Sequence, residues 1–480
     1  MNVIKFGTDG WRAIIAEDFT VANLKRVASG TASWLKKNYG NPSVTLGNDV
    51  RFGGKLFAET TAKVLAQEGI KVYLASNDFV STPMISLSAV HYKAQAGIII
   101  TASHNPPAYN GFKIKAFYGG PATPFMIEEV ENNIPEEYSV KLESVEEYIL
   151  QGKIILVDLE DLYVKKIEES FDLESIRKSG FIFVYDAMFG AGQNVMRRIL
   201  PNLIFLHAEH NPGFEGIAPE PILKNLQEVS EILKISGDMD GALVTDGDAD
   251  RIGLFDGKGN FIDSHHIILL LIHYLFKYKN NKGCVLFTFS CSNKIADLCK
   301  IYSLPYSVTK VGFKYICDLI LKEGDDFLVG GEESGGLAIR GHIPERDGIW
   351  IGLTIWEFMV KSGKTLSELI AEIYTLVGAF AVERYDLHLT NEKKEAILQK
   401  CINREYSYFG KLKVESVEDL DGFKFHFSDG TWVMIRPSGT EPVLRIYAEA
   451  VNSKASYAIL NKVKETILHQ FIPEEFPNDL

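Results

Sequence analysis

Cysteine is scarce in this chain of 480 residues: five, at Cys284, Cys291, Cys299, Cys317 and Cys401, with no C-x-x-C pair. An odd, scattered set argues against a disulfide framework, and reduced thiols in a cytoplasm fit best. Long apolar runs are missing too. The longest, 267–276, is short of a bilayer span and contains His273. The first residues, M-N-V-I-K-F-G-T-D, are too polar and too early in acids for a signal peptide. Positive charge is in deficit, with a net charge of −13. That argues against a nucleic-acid or anionic-membrane surface, so an anionic substrate must be held by a few basic residues gathered locally. Three familiar motifs are absent. No serine stands between the flanking glycines of a hydrolase elbow. Gly190-Ala191-Gly192 has Val195 where a dinucleotide fingerprint needs its third glycine, and Gly363-Lys364-Thr365 has Phe358 where a phosphate loop needs its first.

The rest is an ordinary globular composition, 46% hydrophobic and 24% charged, of a length that holds about three or four domains. Short apolar runs at 44–47, 72–75, 97–100, 181–185, 203–206, 242–244, 285–288, 306–309 and 327–329 read as strands. Helical patterns at 56–67, 191–200, 223–234, 265–278, 293–300 and 313–322 fall between them. This alternation predicts consecutive α/β domains with parallel or mixed sheets. An acidic stretch at 128–147 reads as a solvated helix and linker. From about residue 383 the order changes, with helices at 391–404 and 454–468 around several strands, which predicts a smaller α+β domain. The expected boundaries are 1–155, 156–262, 263–380 and 381–480.

The organising stretch is 101–115, T-A-S-H-N-P-P-A-Y-N-G-F-K-I-K, directly after Gly97-Ile98-Ile99-Ile100. It reads as a buried strand opening into a tight loop with Ser103 at its tip. A serine needs activation or a reactive modification, because its hydroxyl is a poor nucleophile near neutral pH. His104, Asn105 and Lys113 surround it with donors better suited to a phosphate than to an acyl group. A polar loop with a chance Ser-His pair stands level with that reading until other stretches decide.

The second domain supplies D-G-D-A-D-R at 246–251 between two apolar strands. Carboxylates at Asp246, Asp248 and Asp250 converge only if a cation neutralises them. An EF-hand is excluded, since its sixth position would be Arg251 and its twelfth Gly257. Three carboxylates are few for Ca²⁺ but suit Mg²⁺, completed by phosphate oxygen and water. That oxygen could come from a phosphorylated Ser103. The third domain offers G-G-E-E-S-G-G at 330–336, either a polyol site or a decorated turn. The last offers R-P-S-G-T-E-P at 436–442 with Arg445 beyond, a phosphate clasp that a merely capped turn does not explain. Ligands collect at the carboxyl ends of strands in open α/β sheets, so the four loops most economically face one shared cleft.

Taken in order, T-A-S-H-N-P-P-A-Y-N-G-F-K, D-G-D-A-D-R, G-E-E-S-G and R-P-S-G-T-E-P, after an opening F-G-T-D-G-W-R, resemble the α-D-phosphohexomutases over essentially the whole chain. The resemblance implies four domains around a central cleft, a phosphoryl group on Ser103, and Mg²⁺ held by Ser103, Asp246, Asp248 and Asp250. It implies that Glu332 and Ser334 contact sugar hydroxyls, and that Arg436, Ser438, Gly439, Thr440 and Arg445 hold the phosphate that is not reacting. Arg12 and Lys113 match positions at the reacting centre, with His104 beside the phosphoserine; Lys113 is the first candidate for the general base. We add Arg251 and Gly312 to the expected substrate contacts. Some dual glucose and mannose members resemble G-E-x-S-G-H in the sugar loop, whereas this chain has Gly336 there and offers His342 instead. The implied reaction interconverts hexose 1-phosphate and hexose 6-phosphate, with hexose 1,6-bisphosphate as intermediate and activator. Glucose phosphate comes first, mannose phosphate beside it, and an amino-sugar phosphate behind. A Mg²⁺-dependent sugar phosphatase and a non-catalytic sugar-phosphate sensor are the rivals.

Overall fold

In the computed structural model, residues 4–7, 9–437 and 443–469 are described. The chain forms two compact units, Met1–Leu286 with Leu304–Ser307 and Gly312–Ile370, and Phe287–Ser303 with Val308–Val311 and Ala371–Leu480.

The first sheet holds β1 (Trp11–Ile14), β2 (Ser43–Asn48), β3 (Lys71–Ala75), β4 (Ala96–Ile100), β5 (Tyr109–Ala116) and β6 (Ile154–Val157), in the order β1-β5-β4-β2-β3-β6. Strand β4, A-G-I-I-I, is buried along its whole length because it lies between β2 and β5 with helices packed nearby, as a continuous apolar run requires. The sheet is mixed: β2 is parallel to β3 and β4, while β5 is antiparallel to β4 and β1. Helices Val21–Asn38 and Gly54–Gln67 pack together against a core that includes Leu24, Trp34, Phe57 and Leu65.

The second sheet, β7 (Phe183–Asp186), β8 (Ile204–Leu206), β9 (Gly241–Thr245), β10 (Ile252–Asp256) and β11 (Phe261–Ile262), is ordered β11-β10-β9-β7-β8 and is also mixed. The third, β12 (Cys284–Thr288), β13 (Tyr306–Thr309), β14 (Phe327–Gly331) and β15 (Leu337–Ile339), is ordered β13-β12-β14-β15. The fourth, β16 (Ala381–His388), β17 (Tyr408–Phe409), β18 (Leu412–Glu418), β19 (Phe423–Phe427), β20 (Trp432–Pro437) and β21 (Val443–Ala450), is antiparallel, ordered β16-β21-β20-β19-β18-β17. Its core joins Phe425, Ile435, Leu444 and Ile446 of the sheet to Ile397 and Leu460 of two helices, which is the α+β arrangement expected.

Several expectations need correction. The stretch 101–115 is not one loop. Tyr109–Ala116 is a strand, so Lys113 and Lys115 share one face of a sheet two residues apart. Arg12 lies in β1, where it pairs with Gly111. The expected helix at 223–234 is a short 3-10 turn, Leu223–Asn225, followed by helix Gln227–Ser236. The helix at 265–278 ends as Ser264–His273 and continues as a π turn, Tyr274–Tyr278. Among the described residues no helix is long and apolar enough to cross a membrane.

Candidate active site

Three strand-end loops of the first unit meet. Strand β4 ends at Ile100, and the chain passes through Thr101, Ala102 and Ser103 before returning in β5. Strand β9 ends at Thr245 and gives the aspartate loop, which returns in β10. Ser103 Oγ donates to Asp246 Oδ2 at 2.8 Å. The other oxygen of Asp246 accepts the backbone N–H groups of Asp250 and Arg251 at 2.9 and 3.0 Å, which shapes the loop. Gly247 packs against the serine loop so closely that a Cβ there would lie 2.6 Å from the Ser103 carbonyl oxygen.

Carboxylate oxygens of Asp246, Asp248 and Asp250 lie within 4.8 Å of one another, and all three residues are buried. Oδ1 of Asp248 and Oδ1 of Asp250 are buried without a hydrogen-bond partner. Burying such oxygens is costly unless something positive meets them. This donor set therefore fits a hard divalent cation. Asp248 is steered by Thr82, whose Oγ1 donates to Oδ2 at 2.6 Å, and by Lys113 Nζ at 2.7 Å.

Lys113 is fully enclosed, 2.7 Å from Asp248, 3.2 Å from Asp250 and 3.1 Å from Asp9. Burial opposes its charge, yet these three carboxylates together hold its pKa above the usual lysine value. Asp248 is correspondingly held low despite its burial, chiefly by Lys113. Asp246 goes the other way, because burial and the charges of Asp248 and Asp250 push its pKa well up. Beside them His104 Nδ1 is 3.4 Å from Ser103 Oγ. Burial, with Arg251, Arg12 and Lys113 around it, pushes the His104 pKa well below the usual histidine value, so the ring is neutral. Arg12 Nη1 donates to Asn105 Oδ1 at 2.7 Å.

The sugar loop after β14 is tied to the aspartate loop by backbone. Ile252 N–H donates to Gly335 O at 3.2 Å, and Arg251 bridges Gly336. Ser334 Oγ donates to Glu332 Oε1 at 2.6 Å, and burial raises the Glu332 pKa. Arg346 spans the two loops, pairing with Asp9, lying 2.7 Å from Asp250 and 4.0 Å from Glu332. Glu345 next to it pairs with Lys115 at 2.7 Å.

Asp9, Thr82, Lys115, Glu345 and Arg346 complete these contacts from outside the site residues singled out by sequence. Two signals were available. Lys113 and Lys115 alternate along a strand and so face one way, and Glu345-Arg346-Asp347 is a charged run between buried Ile343 and Ile349. His342 pairs with the segment that leads into the next helix. Its Nε2 is 2.8 Å from Asp347 Oδ2, and its ring stacks on Trp350 at 3.7 Å. Tyr163 Oη donates to the same carboxylate, which caps helix Gly348–Ser362. Gly312, at φ 129°, immediately precedes helix Phe313–Glu323.

In the second unit Arg436 and Arg445 face each other across the β20–β21 ladder. Arg436 Nε lies 3.1 Å from Asp421 Oδ2. Like charges directly opposite on two strands are unfavourable unless an anion lies between or beside them. Ser438, Gly439 and Thr440 lie outside the described residues.

The site joins a strand-tip serine, a triad of aspartates fit for a cation and a set of enclosed bases, which together define phosphoryl-transfer chemistry. Four family models match in order, each of the phosphoglucomutase/phosphomannomutase type. They are alpha/beta/alpha domain I over 3–141, domain II over 161–259, domain III over 263–377 and the C-terminal domain over 390–467. The chain belongs to the phosphoglucomutase/phosphomannomutase family, the α-D-phosphohexomutases, and is an intramolecular phosphotransferase of that family. It is 30% identical to a phosphoglucomutase/phosphomannomutase of Thermococcus kodakarensis, covering 93% of this chain and 94% of that one. It is 31% identical to a probable phosphoglucosamine mutase of Pyrococcus furiosus, covering 96% and 98%. A solved structure of a Thermus thermophilus protein named as a phosphomannomutase superposes with a TM-score of 0.85 at 32% identity, covering 97% of this chain and 99% of that one.

Proposed function

We propose that this enzyme interconverts hexose 1-phosphate and hexose 6-phosphate, glucose phosphate first, through a phosphoserine at Ser103. The observation that carries the reading is the hydroxyl of Ser103 set against Asp246 inside a buried aspartate triad, with Lys113 beside it. The Oγ–P bond of phospho-Ser103 breaks as a P–O bond forms to the free hydroxyl of the sugar phosphate, and that hydroxyl gives up its proton. The resulting hexose 1,6-bisphosphate turns over and returns its other phosphoryl group to Ser103 Oγ, releasing the isomer. Ser103, Asp246, Asp248 and Asp250 would hold Mg²⁺, which when bound supplies positive charge to the phosphoryl oxygens.

The chain's own groups do the rest. Lys113 and Arg12 bring fixed positive charge to the transferring oxygens. Lys113 is the first candidate for the proton acceptor, and its ion pairs with Asp9, Asp248 and Asp250 must loosen for it to take that role. Arg12 and His104, whose Nδ1 lies 3.4 Å from Ser103 Oγ, stand behind it. Glu332 and Ser334 bind sugar hydroxyls, with Arg251 and Gly312 as further substrate contacts. Arg436 and Arg445, together with Ser438, Gly439 and Thr440, hold the other phosphate. His342, held by Asp347 through Nε2, is a further proposed substrate contact. The proposed domains are 1–155, 156–262, 263–380 and 381–480, and five buried free thiols support a cytoplasmic location.

The name of the Pyrococcus relative favours a second substrate, glucosamine phosphate, whose ammonium would find a carboxylate at Glu332. Incubation with glucose 1-phosphate, mannose 1-phosphate or glucosamine 1-phosphate, each with Mg²⁺ and a trace of its bisphosphate, separates these readings by product. Isomerised glucose phosphate is expected to form fastest. Release of inorganic phosphate without isomer would mean a phosphatase.

A further inference from the structure

Ser103 has a backbone φ of 52°. That is left-handed geometry, which strains a residue with a Cβ and persists only where the surroundings enforce it. Thr101 grips one side of the residue, its Oγ1 accepting the Ser103 N–H at 2.8 Å. The other side, the Ser103 carbonyl, is held by Arg51.

Arg51 comes from the loop after β2 and is 2% exposed. Its guanidinium sits inside the curl of the serine loop. Nη2 donates to Ser103 O and Asn105 O, both at 2.6 Å, and Nη1 donates to Pro106 O at 2.9 Å and Tyr109 O at 3.0 Å. All four of these bonds end on backbone oxygen, so the donors of this planar fork are committed to shaping the loop. Asp49 secures the arrangement. One of its oxygens accepts Thr101 Oγ1 at 2.5 Å and lies 3.4 Å from Arg51 Nε, and the other accepts the Arg51 N–H at 3.0 Å. The Phe214 ring covers the guanidinium at 5.0 Å. Asp49, Thr101 and Arg51 thus clamp both peptide groups of the strained serine.

We infer that Arg51 is a positioning residue for phosphoryl transfer: it fixes Ser103 in the left-handed conformation that aims Oγ at Asp246, with Asp49 and Thr101 locking it there. This rests on the phosphoserine reading above. Without the fork, the serine backbone relaxes toward negative φ and its Cα–Cβ bond swings away from the aspartate loop. The residues proposed to hold the sugar and its other phosphate stay in place. A misplacement of about 1 Å can cost about 100-fold in rate, so kcat should suffer and substrate binding should not.

The test uses the full-length enzyme and the variants Arg51→Lys, Arg51→Ala and Thr101→Val. In Arg51→Lys, kcat is expected to fall about 100-fold with KM within about threefold. Added guanidinium ion should restore part of the kcat of Arg51→Ala, whereas methylammonium should not. Amide exchange over 101–109 should rise in both Arg51 variants, a readout independent of turnover. If the Arg51 variants do not fold, Thr101→Val decides, since it releases the other grip on Ser103; a fall in kcat with KM held supports the inference. Unchanged kcat in a folded Arg51→Lys, unchanged kcat in Thr101→Val, or a rise in KM matching the fall in kcat would overturn it. Intact mass of the wild type after exposure to hexose 1,6-bisphosphate separates the two levels. Phosphate on wild-type Ser103 with unaffected variants refutes only the role of Arg51, whereas a wild type that turns over without it refutes the phosphoserine itself.

Discussion

Ser103 Oγ donates a 2.8 Å hydrogen bond to Asp246 Oδ2 across 143 positions of sequence. One end of that contact is a candidate phosphoryl carrier and the other a candidate cation ligand, so the strand-tip serine and the aspartate loop meet at one candidate reacting centre.

Asp248→Asn removes one charge from the triad and keeps its shape. Mg²⁺ affinity, measured by calorimetry, is expected to fall at least about tenfold, or about 1.4 kcal/mol, and kcat with it. Unchanged Mg²⁺ binding would make the loop structural.

Gly247→Ala tests the closeness of the two loops. A Cβ at 2.6 Å from Ser103 O cannot be accommodated without moving the serine. Turnover should fall by about tenfold or more, with the strain of overpacking appearing as about 1–3 kcal/mol of lost stability in urea melts. Wild-type kcat and stability would show that the loops separate freely.

Arg436→Ala addresses the phosphate that does not react. Loss of a charged hydrogen bond to it should reduce kcat/KM by roughly 2 to 4 kcal/mol. Slow hydrolysis of phospho-Ser103 by water uses no remote phosphate, so its rate should barely change. Equal losses in both reactions would move Arg436 to the reacting end.

His207 carries a pH effect outside the reaction. Its Nδ1 lies 2.9 Å from Asp186 Oδ2, and that hydrogen bond, against partial burial, pushes its pKa up to about 9. The pair stabilises the fold fully below the unfolded value near 6.5 and loses that contribution as pH rises through about 9. After allowance for solvent the effect is on the order of 1 kcal/mol. Denaturant melts at about pH 6 and about pH 10 should show this difference in the wild type and not in His207→Gln. A histidine resonance titrating near the ordinary value would contradict it.

The loops were legible because each is a short run of one chemistry. D-G-D-A-D between apolar strands has few solutions other than a cation, and S-H-N-P-P after I-I-I has to turn. What holds the loops was not legible. Lys113 looked like a loop residue because Tyr109–Ala116 carries two lysines, and only the sheet shows that both are buried against carboxylates from distant segments. Arg346 touches Asp9, which lies 337 positions away. No local period encodes such a contact. His342 is a related case, since its stacking on Trp350 and its contact with Asp347 are set by the fold and not by the sugar motif beside it.

The most direct measurement is intact-protein mass, with peptide mapping, on wild type and Ser103→Ala after incubation with glucose 1,6-bisphosphate and Mg²⁺, alongside turnover of glucose 1-phosphate. The account predicts one phosphate on Ser103 of the wild type, none on the folded variant, and no conversion to glucose 6-phosphate by that variant. Conversion by Ser103→Ala at a rate near the wild type would contradict it.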